Sequence, residues 1–447
     1  MRAQIVPASA FAVRTLAATS IPLVAFGPLA SPAMAQSYNP FGRLGTLQAS
    51  NNPLDEDQPD SVTQRSRPEY QAVPIQIGSI QVMPQVILGL DFDDNVYAVE
   101  NGKSSDGIVT YQPRITIGRP SPGFSWSIAG EYEATRYFNL TSENTNDYAF
   151  QGGLEYQIGT STVVNAKALR SRNSESRTSP DSLSSIARPN RFYLTEFYGD
   201  LTHRFNRLSV RGTIDFARRN YLDNRDIAGN VIDQDFRDRS TVTGSLIAQY
   251  TMSANFAVFA AASANQRDYR TRIGPIPARD SKGYELALGS NFNLGHLMHG
   301  SMRVGYLRQN YKDPLFKDVH GFLIRGEIAY YLTPLVTLTA KVDRSVSETG
   351  VVEAAGYVKT TASVQADYEL LRNLILHVEG GNEHRRFVGV DRTDDRFSAN
   401  FRATWLLSPR WSLQASLSHR QQTSKGSAPG RDFKENVASI GLVFKGL

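Results

Sequence analysis

Residues 396–424 read RFSANFRATWLLSPRWSLQASLSHRQQTS, and this stretch decides the fold. Phe397, Ala399, Phe401, Ala403, Trp405 and Leu407 alternate with Ser398, Asn400, Arg402 and Thr404, the period of two of a strand with one apolar and one wet face. After Ser408-Pro409-Arg410, Trp411, Leu413, Ala415 and Leu417 alternate with Ser412, Gln414, Ser416 and Ser418. The unit is one β-hairpin. Trp405 and Trp411 flank its turn on the apolar side, where an amphipathic ring suits a boundary between lipid and headgroups.

Composition narrows the class. Of 447 residues 40% are hydrophobic, mean hydropathy is −0.34, and outside the N-terminus no run approaches the ~20 apolar residues a spanning helix needs. The chain has no cysteine, which excludes disulfides, thiolate metal sites and a cysteine nucleophile. Its 48 basic and 43 acidic residues give a dispersed +5, a weak basis for nucleic-acid binding.

Residues 1–35 have the form of an export signal. Arg2 and Arg14 are its only charges, Thr15 to Ala30 is mostly apolar, and Ala33-Met34-Ala35 supplies small residues for cleavage before Gln36. Residues 36–77 are rich in Asn, Gln, Ser, Pro and Asp without periodicity, as expected of a disordered leader. That leader is read either as a flexible tether or as a segment that enters a pore or docks a partner.

From 78 to 447 the hairpin unit recurs. Strands are predicted at 84–99, 107–118, 124–138, 147–158, 162–174, 191–205, 208–222, 236–251 and 256–271, then at 282–294, 300–313, 320–332, 335–348, 357–370, 374–387, 396–407, 411–424 and 433–445. Short turns such as 205–207, 333–334 and 408–410 alternate with longer polar connections such as 175–190, 225–235 and 272–281. An even count of about eighteen strands with this asymmetry predicts an all-β fold, a transmembrane antiparallel up-and-down β-barrel with short turns and both termini in the periplasm. In the last strand Ala438, Ile440, Leu442 and Phe444 form the apolar face, and Ser439, Gly441 and Phe444 resemble an outer-membrane assembly signal without its terminal aromatic.

Parity then assigns an inside. Opposite the apolar faces fall Asp91, Asp93, Arg114, Glu131, Arg211, Asp215, Arg267, Arg303, Arg325, Glu327, Lys341, Asp343, Glu379, Arg385, Arg402 and Arg420, with Glu133, Glu155, Lys167, Asp367 and Glu369. A barrel this wide holds water, so such charges are expected to line a lumen. Tyr137, Tyr198, Phe259 and Tyr331 share that parity as scattered sugar-stacking candidates.

Alternate strands end in arginine before the long connections: Arg136, Arg170, Arg218, Arg219, Arg267, Arg308, Arg344, Arg385, Arg386 and Arg420. Two readings are open: rim residues that meet anionic lipid, or, for Arg267, Arg385 and Arg420 with their inward parity, a basic ring that guides anions, opposed by Glu379, Glu383 and Asp343. Arg308 and Arg344 share the apolar face, where guanidinium groups meet lipid phosphates. Catalysis has no footing. His296 and His299 have no third ligand beside them, His377 and Glu379 share one strand face without a nucleophile, and no cofactor is implied.

The first strand, Gly89-Leu90-Asp91-Phe92-Asp93-Asp94-Asn95-Val96-Tyr97, and runs such as Arg218-Arg219-Asn220-Tyr221 and Arg308-Gln309-Asn310-Tyr311 resemble the family called putative β-barrel porin 2, over roughly residues 75–447. The resemblance implies a Gram-negative outer-membrane barrel, often part of exopolysaccharide secretion, passing polymer received from a periplasmic export protein. Three functions follow as expectations: a polysaccharide conduit, a diffusion porin for small solutes, or a non-conducting structural or adhesive barrel. The expected surroundings are outer-membrane lipid and lipopolysaccharide. A trimeric porin needs a long constricting loop folded into the barrel; 175–190 is the best candidate, and it is short for that task.

Overall fold

A sheet with one apolar side is stable in lipid only when closed, because an open edge leaves backbone groups without partners. The chain obeys this rule. The computed structural model describes residues 61–182, 185–272, 274, 277–295 and 297–446. The segment expected to be a signal, the first part of the leader and His296 lie outside the described residues.

Nineteen strands share one sheet: the three-residue strand Ile75–Ile77 and eighteen long ones of 12–16 residues. The long strands are β1 (Ile80–Asp93), β2 (Asp106–Arg119), β3 (Phe124–Tyr137), β4 (Thr145–Ile158), β5 (Thr162–Ser174), β6 (Arg191–Phe205), β7 (Leu208–Tyr221), β8 (Arg239–Ser253) and β9 (Phe256–Tyr269). Then come β10 (Ser281–Leu294), β11 (Met298–Tyr311), β12 (Val319–Thr333), β13 (Val336–Ser347), β14 (Gly356–Leu371), β15 (Leu374–Val388), β16 (Thr393–Leu406), β17 (Trp411–Lys425) and β18 (Phe433–Lys445). Each pairs antiparallel with the next, and β1 closes onto β18 from Gln85↔Lys445 to Asp93↔Val437. A closed barrel of this strand number has a backbone diameter of about 35 Å.

The eighteen expected strands are all present. The largest boundary difference is in β1, which ends at Asp93 instead of continuing to 99. Val96 and Ala98 alternate like strand residues, but they tuck beneath a loop in which Asn95 Oδ1 accepts from the Val99 amide (3.1 Å) and Ala98 has φ +49°.

The outer surface is the apolar one. Leu88, Leu90, Phe92, Ile128, Phe150 and Ile214 all point away from the interior and are about half exposed. Trp405 and Trp411 lie on this face beside their turn, and the Trp411 ring packs 4.7 Å from Phe444. No helix among the described residues is long and apolar enough to cross a membrane.

The wall is not evenly curved. Along β8–β12 side chains from strands two apart meet inside: Asn291 donates to Gln249 (2.8 Å) and Gln309 to Asn265 (3.2 Å). Small inward residues permit this bend, notably Ala257, Ala261, Ala287 and Gly289; a Cβ on Gly289 would overlap the Phe259 ring. Ile247, Phe259, Leu307 and Leu323 fill the bend with an apolar cluster. The interior is therefore apolar in part, where a strongly polar lumen with scattered aromatics was expected.

Candidate conduit and its two closures

Register fixes which side chains look inward, because directly opposed residues share a face. Every charged residue assigned to the interior from sequence does face it. On β1–β4 these are Asp91, Asp93, Arg114, Glu131, Glu133 and Glu155; Arg114 lies 3.9 Å from Glu131, which also accepts from Gln112 (2.6 Å). On β5–β7 Arg211 meets Asp200 (3.3 Å) and donates to the Tyr198 hydroxyl (2.9 Å), while Lys167 stands beside Tyr198 and Asp215 opposite it. On β11–β13 Arg303 opposes Arg325, Arg325 pairs with Asp343, and Lys341 with Glu327 (3.6 Å). On β14–β16 His377 Nδ1 bonds Asp367 (2.8 Å), its Nε2 lies 4.0 Å from Glu379, and Arg402 stands opposite. His299 is spoken for by Tyr331 (2.7 Å).

At the long-loop end the wall is not open. The described residues of the 175–190 connection fold inward and bridge to strands and loops on the far side. Their neck is closed by Glu175 N–H donating to Asn190 O (2.7 Å), and Glu175 receives the Arg237 guanidinium (2.7 and 3.2 Å) and Asn190 (2.8 Å). Arg177 grips Glu143 through two bonds (2.8 and 2.6 Å). Asp181 accepts from Thr349 (2.7 Å), and Arg392, itself locked to Asp394 (2.9 and 2.6 Å), reaches the Pro180 carbonyl (3.5 Å). Arg396 donates to Thr178 O, and Arg431 to Arg177 O, Ser179 O (3.5 Å) and Tyr97 O (3.0 Å). The neighbouring connection 222–238 buttresses the loop through the Ile186↔Asp226 bridge and Arg237, whose guanidinium lies 3.9 Å over the Tyr221 ring. Short as it is, 175–190 does span the mouth, which corrects the expectation from its length.

The basic ring must also be corrected. Arg267 and Arg385 are each 1% exposed, and all three members have acid partners: Arg267 with Glu348, Arg385 with Glu383, Arg420 with Glu435 (2.8 Å). The opposing acid foreseen in Glu383 is thus Arg385's own counter-ion. Arg396 and Arg431 are different, because they donate to carbonyl and amide oxygens and form no ion pair among the described residues. Burial, then Arg177 and Arg392 beside it, pull the Arg431 pKa down to about 10, which still leaves it charged at neutral pH. Burial pushes the Glu175 carboxyl up, but Arg237, Asn190 and Arg219 outweigh it and hold that carboxyl below its ordinary range. Glu348 is held low in the same way, burial being overcome by Arg267, Arg239 and Arg279.

The short-turn end is narrowed by the chain's own leader. Residues 61–77, which composition assigned to disorder, carry the turn Pro68–Tyr70 and the strand Ile75–Ile77. The Val62 amide donates to Thr337 Oγ1 (3.1 Å), and its side chain is fully buried. Arg65 (2.8 Å), Arg67 (2.7 Å) and Arg372 (3.6 Å) converge on Glu369, an inward residue of β14. Of the two readings of the leader, entry into the barrel is what residues 61–67 do.

Sequence patterning missed Glu143, Glu175, Arg237 and Glu348, all outside the long strands, where there is no period to follow. It also passed over Asp200, Glu196 and Glu285, inward by register on strands it did place.

A closed eighteen-strand barrel with an apolar outer belt and a charged interior defines an outer-membrane channel of the porin type. The chain belongs to the putative beta-barrel porin 2 family, whose model matches residues 67–446. No curated protein matches it in sequence. Among solved structures it is similar to OpdL of Pseudomonas aeruginosa, at 10% identity over 83% of this chain and 99% of that one, TM-score 0.43. It is also similar to OccK1 (OpdK) of the same organism, at 9% identity over 81% and 98%, TM-score 0.44. The siderophore receptor PirA from Pseudomonas aeruginosa shares 9% identity over 86% and 81%, TM-score 0.44.

Proposed function

We propose that this protein is a gated outer-membrane conduit for an acidic secreted polysaccharide, with the long loops outside and both termini in the periplasm. One observation carries the proposal: Arg396 and Arg431 sit at the mouth, each donating through one terminal nitrogen to backbone carbonyls of residues 177–179. A carbonyl is a neutral substitute for a carboxylate. When the loop withdraws, those guanidinium groups lose its carbonyls and gain room to bind the carboxylates of a polyanion, which makes stronger, charge-assisted bonds. A mouth sealed by such a loop fits intermittent export better than free diffusion of small solutes. The inward Tyr198, set among Arg211, Asp200 and Lys167, offers sugar rings a partly aromatic, partly polar wall.

At the other end the leader is bound to the lip of the barrel through Glu369. A periplasmic export protein that captured this segment would open the entrance as it delivered polymer. Cells lacking the protein should retain polysaccharide in the periplasm. Complementation with Arg396→Gln/Arg431→Gln should restore the barrel to the membrane yet release an acidic polymer poorly. Undiminished surface polysaccharide in the deletion strain would refute the proposal.

A further inference from the structure

The outer wall of β3–β7 differs from the rest of the barrel. Register places Ile115, Gly130, Phe150, Arg170, Thr195 and Arg218 in one outward row across β2–β7. The row toward the long-loop end brings Tyr132, Tyr148, Arg172, Tyr193 and Asn220 together. Arg191 follows one step higher on β6. No carboxylate lies within ion-pair distance of Arg170, Arg172, Arg191 or Arg218 among the described residues. Asp147, which acts on Arg172 and Arg191 at longer range, accepts from Ser174 Oγ (2.9 Å). Arg170 donates to Thr195 Oγ1 and lies 4.8 Å over the Tyr193 ring, and the Arg172 Nε is buried without a partner. Three other outward arginines are engaged: Arg308 with Asp318 (3.2 Å), Arg344 with Thr360 (2.8 Å), Arg136 with Thr145 O (2.7 Å) and Asn146 (2.6 Å); Arg386 is outward and exposed but stands apart from such a cluster.

Directly toward the midplane from these arginines runs a groove of about 570 Å³. Gly130, Gly152 and Ala168 form its floor, and Ile115, Ile128, Phe150 and Phe197 its banks. A cationic cluster at the outer edge and an apolar channel below it match one molecule with a phosphorylated head and hydrocarbon tails. Adjacent strands lie ~4.8 Å apart, so Arg170 and Arg218 are separated by about 10 Å at the backbone, a span that long side chains converge across.

We propose that this surface is a specific binding site for a phosphorylated, multiply acylated glycolipid, with phosphate on Arg170, Arg172 and Arg218 and an acyl chain in the groove. That the lipid belongs to the outer leaflet rests on the orientation proposed above; its binding to purified protein does not.

The test uses detergent-purified full-length protein titrated with bis-phosphorylated lipid A, dephosphorylated lipid A and inorganic phosphate, read by native mass spectrometry. Arg170→Gln/Arg172→Gln/Arg218→Gln should weaken lipid A binding by tenfold or more and leave the dephosphorylated lipid unaffected. Gly152→Leu fills the groove without backbone movement, since a Cβ there meets Ile128 Cγ2 at 3.5 Å, an ordinary contact. It should weaken both lipids. If the arginine variant does not fold, Gly152→Leu still decides the question. Wild-type affinity in both variants would overturn the site, as would complete displacement of lipid A by equimolar inorganic phosphate, which would leave the groove without a role. A Gly152→Leu protein that changes only its oligomeric state would instead make the groove a contact between copies of the chain.

Discussion

Removing the Arg237 side chain should unlock the mouth, and the structure sets the size of the effect. Arg237 gives Glu175 two bonds (2.7 and 3.2 Å), meets Gln234 (3.1 Å) and Asp181 (3.7 Å), and covers the Tyr221 ring. Arg237→Ala leaves Glu175 with Asn190 (2.8 Å) and Ser179 (3.4 Å), a buried carboxylate without its counter-charge. Breaking a buried pair from one side costs about 3–5 kcal/mol, and the loop escapes that cost by swinging out and rehydrating Glu175. At 1.4 kcal/mol per factor of ten, the ratio of open to closed loops should rise by a factor of about 10² to a few times 10³. In planar bilayers the wild-type barrel should be closed most of the time. Arg237→Ala should show frequent long openings, and Arg237→Lys, which keeps the charge but not the fork, should fall between. If Arg237→Ala is as quiet as wild type while deletion of 177–188 opens the pore, the loop is held mainly by its carbonyl contacts and the assignment of the lock to Glu175–Arg237 is wrong.

Other outcomes follow from the same contacts. Because Glu175 and Glu348 have depressed pKa values, their contribution to closure is complete above the ordinary carboxylate range and fades only as pH falls through the lower folded values; openings should stay rare at pH 5 and increase under stronger acid. Glu369→Ala removes the shared acid of Arg65, Arg67 and Arg372, so trypsin should cut the leader after Arg65 many-fold faster, and equal rates would show that Val62 alone anchors it. A protease site placed at 228–229 should be cut on intact cells and one at 333–334 protected; the reverse pattern would invert the proposed orientation.

The strands, their number and the side each residue takes were legible because alternation is a local signal repeated eighteen times. Arg402 and Trp405 reveal their faces to anyone who counts by two. What alternation does not carry is the path of a loop. Arg267 and Glu348 are 81 residues apart and meet only because the β13–β14 connection folds inward, so an inward arginine looked free when it was paired. The same holds for Arg385, whose partner Glu383 could have been found two residues away on the same inward face. The sharp bend at β8–β12 left a trace in Ala257, Ala261, Gly283 and Gly289, a run of small inward residues that reads as weak patterning until the neighbouring strands are in place. Residues 61–67 have no period at all, and their place in the barrel depends on one distant glutamate.

The most direct test uses the absence of cysteine from the chain. Thr349 Oγ1 donates to Asp181 Oδ1 (2.7 Å), so the two side chains meet, and Asp181→Cys/Thr349→Cys brings the only two thiols of the variant together for oxidation to a disulfide. Conductance and polysaccharide release should be measured on this variant oxidised and then reduced. A gate at 175–190 predicts that oxidation locks the mouth shut and abolishes both, and that reductant restores both in the same preparation. Full conductance and export with the disulfide in place would contradict the account, since cargo would then be passing without movement of the loop.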